Sequence, residues 1–465
     1  MSEKEYRLAS AARGGLLFMR DVPGIALGDR VVVRDHSGRR RNGQVIRTSD
    51  EVVLIQVLEG TDNLDLEHTW VRFLDQPFEI PLGPDILGRV FNGVGQPRDE
   101  RPPLLTRLKR NVNGAPVNPA ARAYPREFIQ TGISSVDGLN SLVRGQKLPV
   151  FSGSGLPHNR LAAQIVRQAK LPGEESQFAV VFAAMGVSYS DANFFRETFA
   201  GSGVLRNVVM FLNLADDPTI ERLILPRAAL TVAEYLAFDL DLHVLVVMTD
   251  MTHYAEALRE VATAKGDVPA RKGYPGYLYS DLAEIYERAG RIRERHGSIT
   301  MVPVVSMPSD DITHPIPDLT GYITEGQLVL NRTLNNLGIY PPVDIPPSLS
   351  RLMKDGIGKD HTREDHPRVA GQLYASYARA LEVRNLASII GADELSETDS
   401  DYLAFAEAFE HRFVGQGEDE DRSIIETLNL AWDLLSLLPP QALTRVSAVD
   451  LAKYHHWQGA SAEAT

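Results

Sequence analysis

The sequence predicts a multidomain α/β protein with an N-terminal β-barrel, a central α/β core and a C-terminal helical bundle. Three observations predict it. Short β-branched runs crowd the first 75 or so residues, strands and helices alternate from about 126 to 345, and helical periodicity alone follows Pro346-Pro347. The expected divisions are 1–75 for the barrel, 76–350 for the α/β domain and 351–465 for the helical domain.

Composition bounds the function. The chain has 465 residues, 43% hydrophobic and 23% charged, which is ordinary globular usage and enough for two to four domains. A net charge of −13 argues against nucleic-acid binding, which calls for a basic face. With no cysteine, neither a disulfide framework nor a thiolate metal site can form. The first residues, MSEKEYRLAS, lack an apolar signal core, and no apolar run approaches bilayer length. A soluble protein is expected, able to dock onto a membrane complex.

In the barrel, Val31-Val32-Val33, Gly43 to Thr48 and Val52 to Val57 read as strands. Gly28-Asp29, His36-Ser37-Gly38 and Ser49-Asp50 supply the turns between them. Arg39-Arg40-Arg41 reads as a solvated hairpin tip. From 76 to 125, repeated prolines and glycines predict an extended connection draped over a domain edge.

In the core, Gln177 to Ala184, Asn207 to Leu212, Leu242 to Met248 and Thr300 to Val305 read as strands. Leu242 to Met248 is the most continuous apolar run, as expected of a central strand buried on both faces. Tyr189 to Phe199, Ala228 to Phe238, Tyr254 to Thr263 and Leu278 to Ala289 read as helices. Arg368 to Ile390, Ser400 to Phe413 and Ser423 to Leu438 form the helical domain, stopped by Pro439-Pro440. The small polar tail after Trp457 is expected to fray.

The most informative stretch is Phe151 to Ala169, FSGSGLPHNRLAAQIVRQA. An apolar strand, a Gly/Ser turn and an amphipathic helix follow one another, as in a phosphate-binding loop of the form G-x-x-x-x-G-K-[ST]. Its chemistry is altered. Ser152 stands at the first glycine, Gly153-Ser154-Gly155-Leu156 fill the turn, and Pro157 replaces the second glycine. Pro157 has no amide to donate. His158 replaces the lysine and Asn159 the Mg²⁺-binding hydroxyl. An ordinary helix start at Pro157 after a Gly/Ser turn also fits these residues.

Asp250 follows the central strand, where P-loop proteins place a Mg²⁺-coordinating carboxylate. An N-cap of the next helix is the plainer role, and without a lysine or hydroxyl partner a cap or vestigial ligand is favoured over an active metal site. The strand ending Ala184-Met185-Gly186-Val187-Ser188-Tyr189 offers no carboxylate or amide to polarise a water until Asp191. Asp310, Asp311, Asp318 and Glu325 read as turn and interface groups, and His361, His366, His455 and His456 lack metal-ligand spacing. No metal site is predicted.

Arg351 follows Pro341 to Ser350, a proline-stiffened approach in which Ser348 or Ser350 can cap the next segment. Most arginines at such a place are plain surface. On a rigid support, however, an arginine can act as a finger toward phosphate bound by another subunit.

Together these stretches resemble the non-catalytic B (β) subunit of V/A-type rotary ATPases, over about Gly24 to Leu438. The specific pieces are Glu127 to Ser134, Phe151 to Asn159, Thr249-Asp250-Met251-Thr252, Gly273 to Leu282 and Pro341 to Ser350. The last fits the rotary ATPase signature P-[SAP]-[LIV]-[DNH]-x-x-x-S-x-S throughout. Local departures are Gly153, where alanine is common, and Pro346 within the variable positions.

The resemblance implies a ring of three catalytic A and three B subunits around a rotating central stalk, held by peripheral stalks. It implies no cofactor of the chain's own; ATP or ADP with Mg would sit at the A–B interface, held mainly by A. Arg351 is similar to the arginine that B contributes there in trans. Ser152, Gly153, Gly155, His158, Asn159 and Asp250 would form a weak or vestigial nucleotide site. Tyr340 matches an aromatic that flanks adenine in catalytic subunits, here beside a loop that has lost its phosphate grip. The complex would couple ATP synthesis or hydrolysis to ion transport, on the cytoplasmic side of the cell membrane, with membrane contact only through the complex. Two other readings stay open: a stand-alone hexameric P-loop NTPase of secretion or helicase type, and a scaffold module without catalytic contribution.

Overall fold

The computed structural model describes residues 4–7, 9–49, 51–173 and 178–456. Asp50 of the expected turn, Gln177 of the expected strand and the tail from Trp457 lie outside the described residues.

Among the described residues, the N-terminal strands are β1 (Lys4–Tyr6), β2 (Ala11–Arg13), β3 (Leu16–Arg20), β4 (Arg30–Arg34), β5 (Arg40–Thr48), β6 (Val52–Val57) and β7 (Trp70–Phe73). They pair antiparallel in the order β1-β7-β4-β5-β6-β3-β2. Alternation puts Leu17, Met19, Val31, Val33, Val45, Val53, Ile55, Val71 and Phe73 into one core. Arg41 departs from the expected solvated tip. It begins the inward register of β5, is buried, and donates to the carbonyls of Gly60 and Asp62 at 2.9 Å. Arg39 and Arg40 are exposed, as a hairpin tip requires.

The central sheet contains β8 (Val90–Phe91), β9 (Val150–Gly153), β10 (Phe178–Val187), β11 (Val208–Leu214), β12 (His243–Thr249), β13 (Ser298–Met307), β14 (Gly326–Leu330) and β15 (Val343–Ser350). Their order is β15-β14-β9-β13-β12-β10-β11-β8, parallel except for β15. Every residue of β12 is buried, as expected of a strand whose interior, Val244 to Met248, is wholly apolar. The proline-rich connection runs along the domain edge and adds β8 to the sheet there.

Helices α1 (His158–Gln168), α2 (Tyr189–Gly201), α3 (Thr219–Phe238), α4 (Met251–Lys265), α5 (Leu278–Tyr286) and α6 (Pro315–Ile323) cover the sheet. Helix α3 continues through Pro226, whereas sequence periodicity alone starts the helix only at Ala228. It is buried on nearly all sides, so packing outweighs the missing amide.

The C-terminal region is helical: α7 (His366–Ile390), α8 (Glu397–Ala408), α9 (Ile424–Leu435) and α10 (Ala448–Tyr454). A π-type turn, Phe409–Val414, continues α8 and stacks Phe409 on Phe405 and Phe413 at 5.7 and 5.2 Å. Helix α10 lies beyond the expected helices; its capping box, Ser447 with Asp450, is the signal that marks it. Gln416 ties this region to the core, accepting from Ser134 N and donating to Gly132 O.

The largest correction concerns Pro341 to Ser350. It does not lead into a capped helix. Residues 343–350 form edge strand β15, where prolines are tolerated because one side of the strand has no ladder to fill. Ser348 Oγ donates to Asp344 O and accepts from Val329 N, so it closes the strand irregularity rather than capping anything. Ser350 Oγ donates to Ser141 O at 2.8 Å. Arg351 sits in the turn that follows, before the short helix Met353–Gly356.

Candidate functional site

Strand β9 ends at Gly153 and the chain turns through Ser154, Gly155 and Leu156 into α1. The turn is closed on itself: Leu156 N donates to Gly153 O at 3.2 Å and His158 N to Leu156 O at 2.8 Å. Gly155 has a φ of +77°, which its missing Cβ permits. Pro157 occupies the position just before the helix.

The loop borders a cavity of about 470 Å³ at the carboxyl ends of the parallel strands, where α/β sheets place their ligands. Gly155, His158, Asn159, Thr249, Asp250, Asp191, His253 and Ser306 line it. Ser152 and Gly153 lie behind that lining, both buried.

Several polar groups of this cavity are already engaged with their neighbours. His158 Nδ1 lies 3.0 Å from Ser152 Oγ. Burial pushes the His158 imidazole below its usual pKa, so it is neutral near pH 7. Asn159 donates to Asp191 Oδ1 at 3.2 Å and accepts from Thr249 Oγ1 at 3.3 Å. One oxygen of Asp250 accepts from Thr252 N at 2.8 Å and Ser306 N at 3.1 Å, capping α4 and holding it to β13. Ser188 caps α2 through Asp191 N, so the end of β10 presents helix caps where a water-polarising group would be needed.

This donor set does not fit a Mg²⁺-triphosphate. Among the described residues no lysine lines it, the amide that would replace the Mg²⁺ hydroxyl is taken at both ends, and one oxygen of the carboxylate serves as a cap. Among the described residues, no group of three or more His, Cys, Asp or Glu could hold a metal ion.

Above the loop, Arg332 forms a forked pair with Asp310 at 2.8 and 2.9 Å and donates to Ser154 O at 2.9 Å. A Cβ on Gly153 would lie 2.0 Å from Asp310 Oδ1, so the pair needs glycine there. Asp311 pairs with Lys272, Asp318 with Arg271 and Glu325 with Lys147. Tyr340 is covered by Arg160 at 4.8 Å from its ring centre, and its hydroxyl donates to Gln164 Oε1. That ring face is not open to a base.

A larger cavity, about 550 Å³, lies between barrel and core. Arg227 there pairs with Asp281 at 2.9 Å, Tyr254 donates to Asp281, and Lys265 pairs with Asp267 outside the lining.

Arg351 is not part of the loop cavity. Strands β9 and β14 run parallel toward the loop end, whereas β15 runs back, setting Ser350 opposite Gly326 at the start of β14. Arg351 therefore stands at the other end of the sheet, a strand length or about 15 Å away. It is exposed, its N–H donates to Glu325 O at 3.0 Å, and its Nη1 lies 3.5 Å from Thr324 O. The structure thus gathers Gly155, His158, Asn159 and Asp250 at one cavity and leaves Arg351 on a separate surface. Sequence reasoning missed His253, Ser306 and the Asp310–Arg332 pair, which no local pattern marks.

The chain matches the ATP synthase alpha/beta family in its beta-barrel domain over residues 10–75 and in its nucleotide-binding domain over 132–350. It matches the C-terminal domain of V and A type ATP synthase over 355–455. It is 80% identical over 461 residues to the V-type ATP synthase beta chain of Nitrosococcus oceani, covering 99% of this chain and 96% of that one. It is 57% identical over 452 residues to the B subunit of the A-type ATP synthase of Aeropyrum pernix, covering 97% and 98%. A solved structure, the unique ATP synthase subunit NeqB from Nanoarcheaum equitans, superposes with a TM-score of 0.73 at 39% identity, covering 92% of this chain and 99% of that one. From barrel to helical domain, the chain belongs to the ATP synthase alpha/beta family, in its branch of V- and A-type ATP synthase beta (B) subunits.

Proposed function

We propose that this chain is the non-catalytic, regulatory subunit of a V/A-type ATP synthase head and that it lends Arg351 in trans to ATP sites on the catalytic A subunit. The observation that carries the reading is the separation of the two sites. Polar groups of the chain's own loop cavity bond to one another, and its candidate arginine stands at the other end of the sheet. An exposed guanidinium behind a proline-bearing edge strand can serve a neighbour's ligand.

In this reading three A and three B subunits alternate around a central stalk, braced by peripheral stalks. ATP or ADP with Mg is held mainly by A. Arg351 meets the charge that develops on the transferred phosphoryl group, which is where a planar, permanently charged donor contributes most. Edge strand β15 fixes its backbone, so opening and closing of the interface places or withdraws the guanidinium as the stalk turns. ATP synthesis or hydrolysis is thereby coupled to ion transport. No described helix is long and apolar enough to cross a membrane. The chain contacts the cell membrane only through the complex, from its cytoplasmic side.

The test is co-expression with an A-type partner. The isolated chain is expected to hydrolyse no ATP, and the co-purified ring to hydrolyse it. Turnover by the isolated chain would favour a stand-alone NTPase instead.

A further inference from the structure

The candidate arginine is mounted on a buried charged joint that plays no part in the loop cavity. Lys147 is 2% exposed, an extreme for a lysine. Its Nζ lies 2.7 Å from Glu325 and 3.2 Å from Glu287, two half-buried carboxylates on different segments. Glu287 ends helix α5 and is also held by Arg122 at 2.6 Å.

Lys147 and Glu325 are joined a second and third time through the main chain. Lys147 N donates to Glu325 Oε2 at 2.8 Å, and Glu325 N donates to Lys147 O at 3.1 Å. The carbonyl of the same Glu325 accepts two further bonds. One comes from Arg351 N at 3.0 Å and the other from Gln146 Nε2 at 3.0 Å. Gln146 Nε2 also donates to Ser350 Oγ at 2.9 Å. Next in chain, Gly326 has a φ of +135°, and a Cβ there would lie 2.0 Å from Leu349 O. Two backbones are thus pressed together directly beneath Arg351. The side-chain ion pair, the two main-chain bonds and the close glycine contact leave residue 325 little freedom, and residue 325 carries the backbone of residue 351.

We propose that Lys147 and Glu325 are positioning residues for Arg351: their buried ion pair sets the turn from which the guanidinium reaches a neighbour's phosphate. This rests on the reading of Arg351 as a trans finger. Neither residue touches nucleotide. Their part is to keep the arginine's backbone within the tolerance that charge stabilisation demands, where a misplacement of about 1 Å costs on the order of 10²-fold in rate.

The test uses the assembled head, reconstituted with its catalytic subunit. Four variants of this chain are compared: Lys147→Met, Lys147→Arg, Arg351→Ala and the Lys147→Met/Arg351→Ala double. Lys147→Met should lower kcat by ~10–100-fold with KM for ATP changed no more than about 2-fold, while the ring assembles. Lys147→Arg, which keeps the cation, should recover most of that loss. In the Arg351→Ala background, Lys147→Met should cost nothing further, because the group it positions is gone. Should Lys147→Met destabilise the ring, Glu325→Gln, which keeps the carbonyl bond to Arg351 and removes the carboxylate charge that Lys147 Nζ and Lys147 N share, gives the same comparison. If Arg351→Ala lowers turnover but neither Lys147→Met nor Glu325→Gln does, the positioning role is wrong and the finger stands. An equal loss from Lys147→Met with and without Arg351 also overturns it, as a general structural effect. If Arg351→Ala is itself without effect, both the finger and its positioning fall.

Discussion

The ring nitrogen Nδ1 of His158 lies 3.0 Å from the hydroxyl of Ser152, across the turn that would cradle a triphosphate. The residue standing in the lysine position is therefore tied back to the strand behind the loop, uncharged near neutral pH. The isolated chain should show no binding of Mg-ATP tighter than about 1 mM, the scale of a few kcal/mol left when the lysine charge and one loop amide are both missing. Isothermal calorimetry decides it, and micromolar affinity would contradict the self-satisfied pocket.

Asp250 should matter for folding. It caps α4 and bonds to β13 through Ser306 N. Asp250→Ala should cost about 1–2 kcal/mol, the usual loss for a cap with one further bond. Chemical denaturation measures it, and a neutral result would mean the cap contributes nothing.

Gly153→Ala should part Asp310 from Arg332, because the new Cβ would fall 2.0 Å from the carboxylate. Both groups are partly exposed, so the loss should stay under about 1 kcal/mol. The same change in an Asp310→Ala background should be neutral. A large loss in both backgrounds would point to strain in the loop itself.

His366 predicts a pH effect. It is fully buried at the start of α7, with Nε2 3.0 Å from Gly138 O and Nδ1 3.0 Å from Thr362 Oγ1, and burial pushes its pKa down to about 4. The folded state therefore favours neutral imidazole. Its contribution is complete above the unfolded pKa of about 6.5 and is lost as pH falls toward about 4, a total of roughly 3 kcal/mol. Glu221 and Asp137, pushed up to about 7 by burial, titrate in the same window with the opposite sign. The quantity to read is thus the difference between wild type and His366→Gln. Between pH 7 and 5 the variant should lose less stability, or gain more, than the wild type; identical profiles would contradict the assignment.

Much of this was legible in the sequence. The largely apolar run at Leu242 to Met248 pointed to an interior strand, and the Gly/Ser turn before Pro157-His158-Asn159 marked the loop that borders the cavity. What escaped depended on partners far away in sequence. The run Pro341 to Ser350 has the prolines of a loop and reads, by itself, as an approach to a helix. It becomes a strand because Gly326 to Leu330, already fixed in the sheet, offers it one free edge. Arg41 looks like one of three tip arginines until the carbonyls of Gly60 and Asp62 are seen beneath it. Pro226 stops a helix in isolation, yet not one wedged between barrel and sheet.

Arg351 is proposed to act on a neighbour's nucleotide. Steady-state ATP hydrolysis by the reconstituted ring, with Arg351→Ala in this chain, tests it most directly. Intact assembly is expected with kcat reduced by ~10³-fold or more, the range arginine fingers supply, and only partial recovery with Arg351→Lys, whose ammonium cannot make the forked contact. An intact Arg351→Ala ring turning over at the wild-type rate would contradict it.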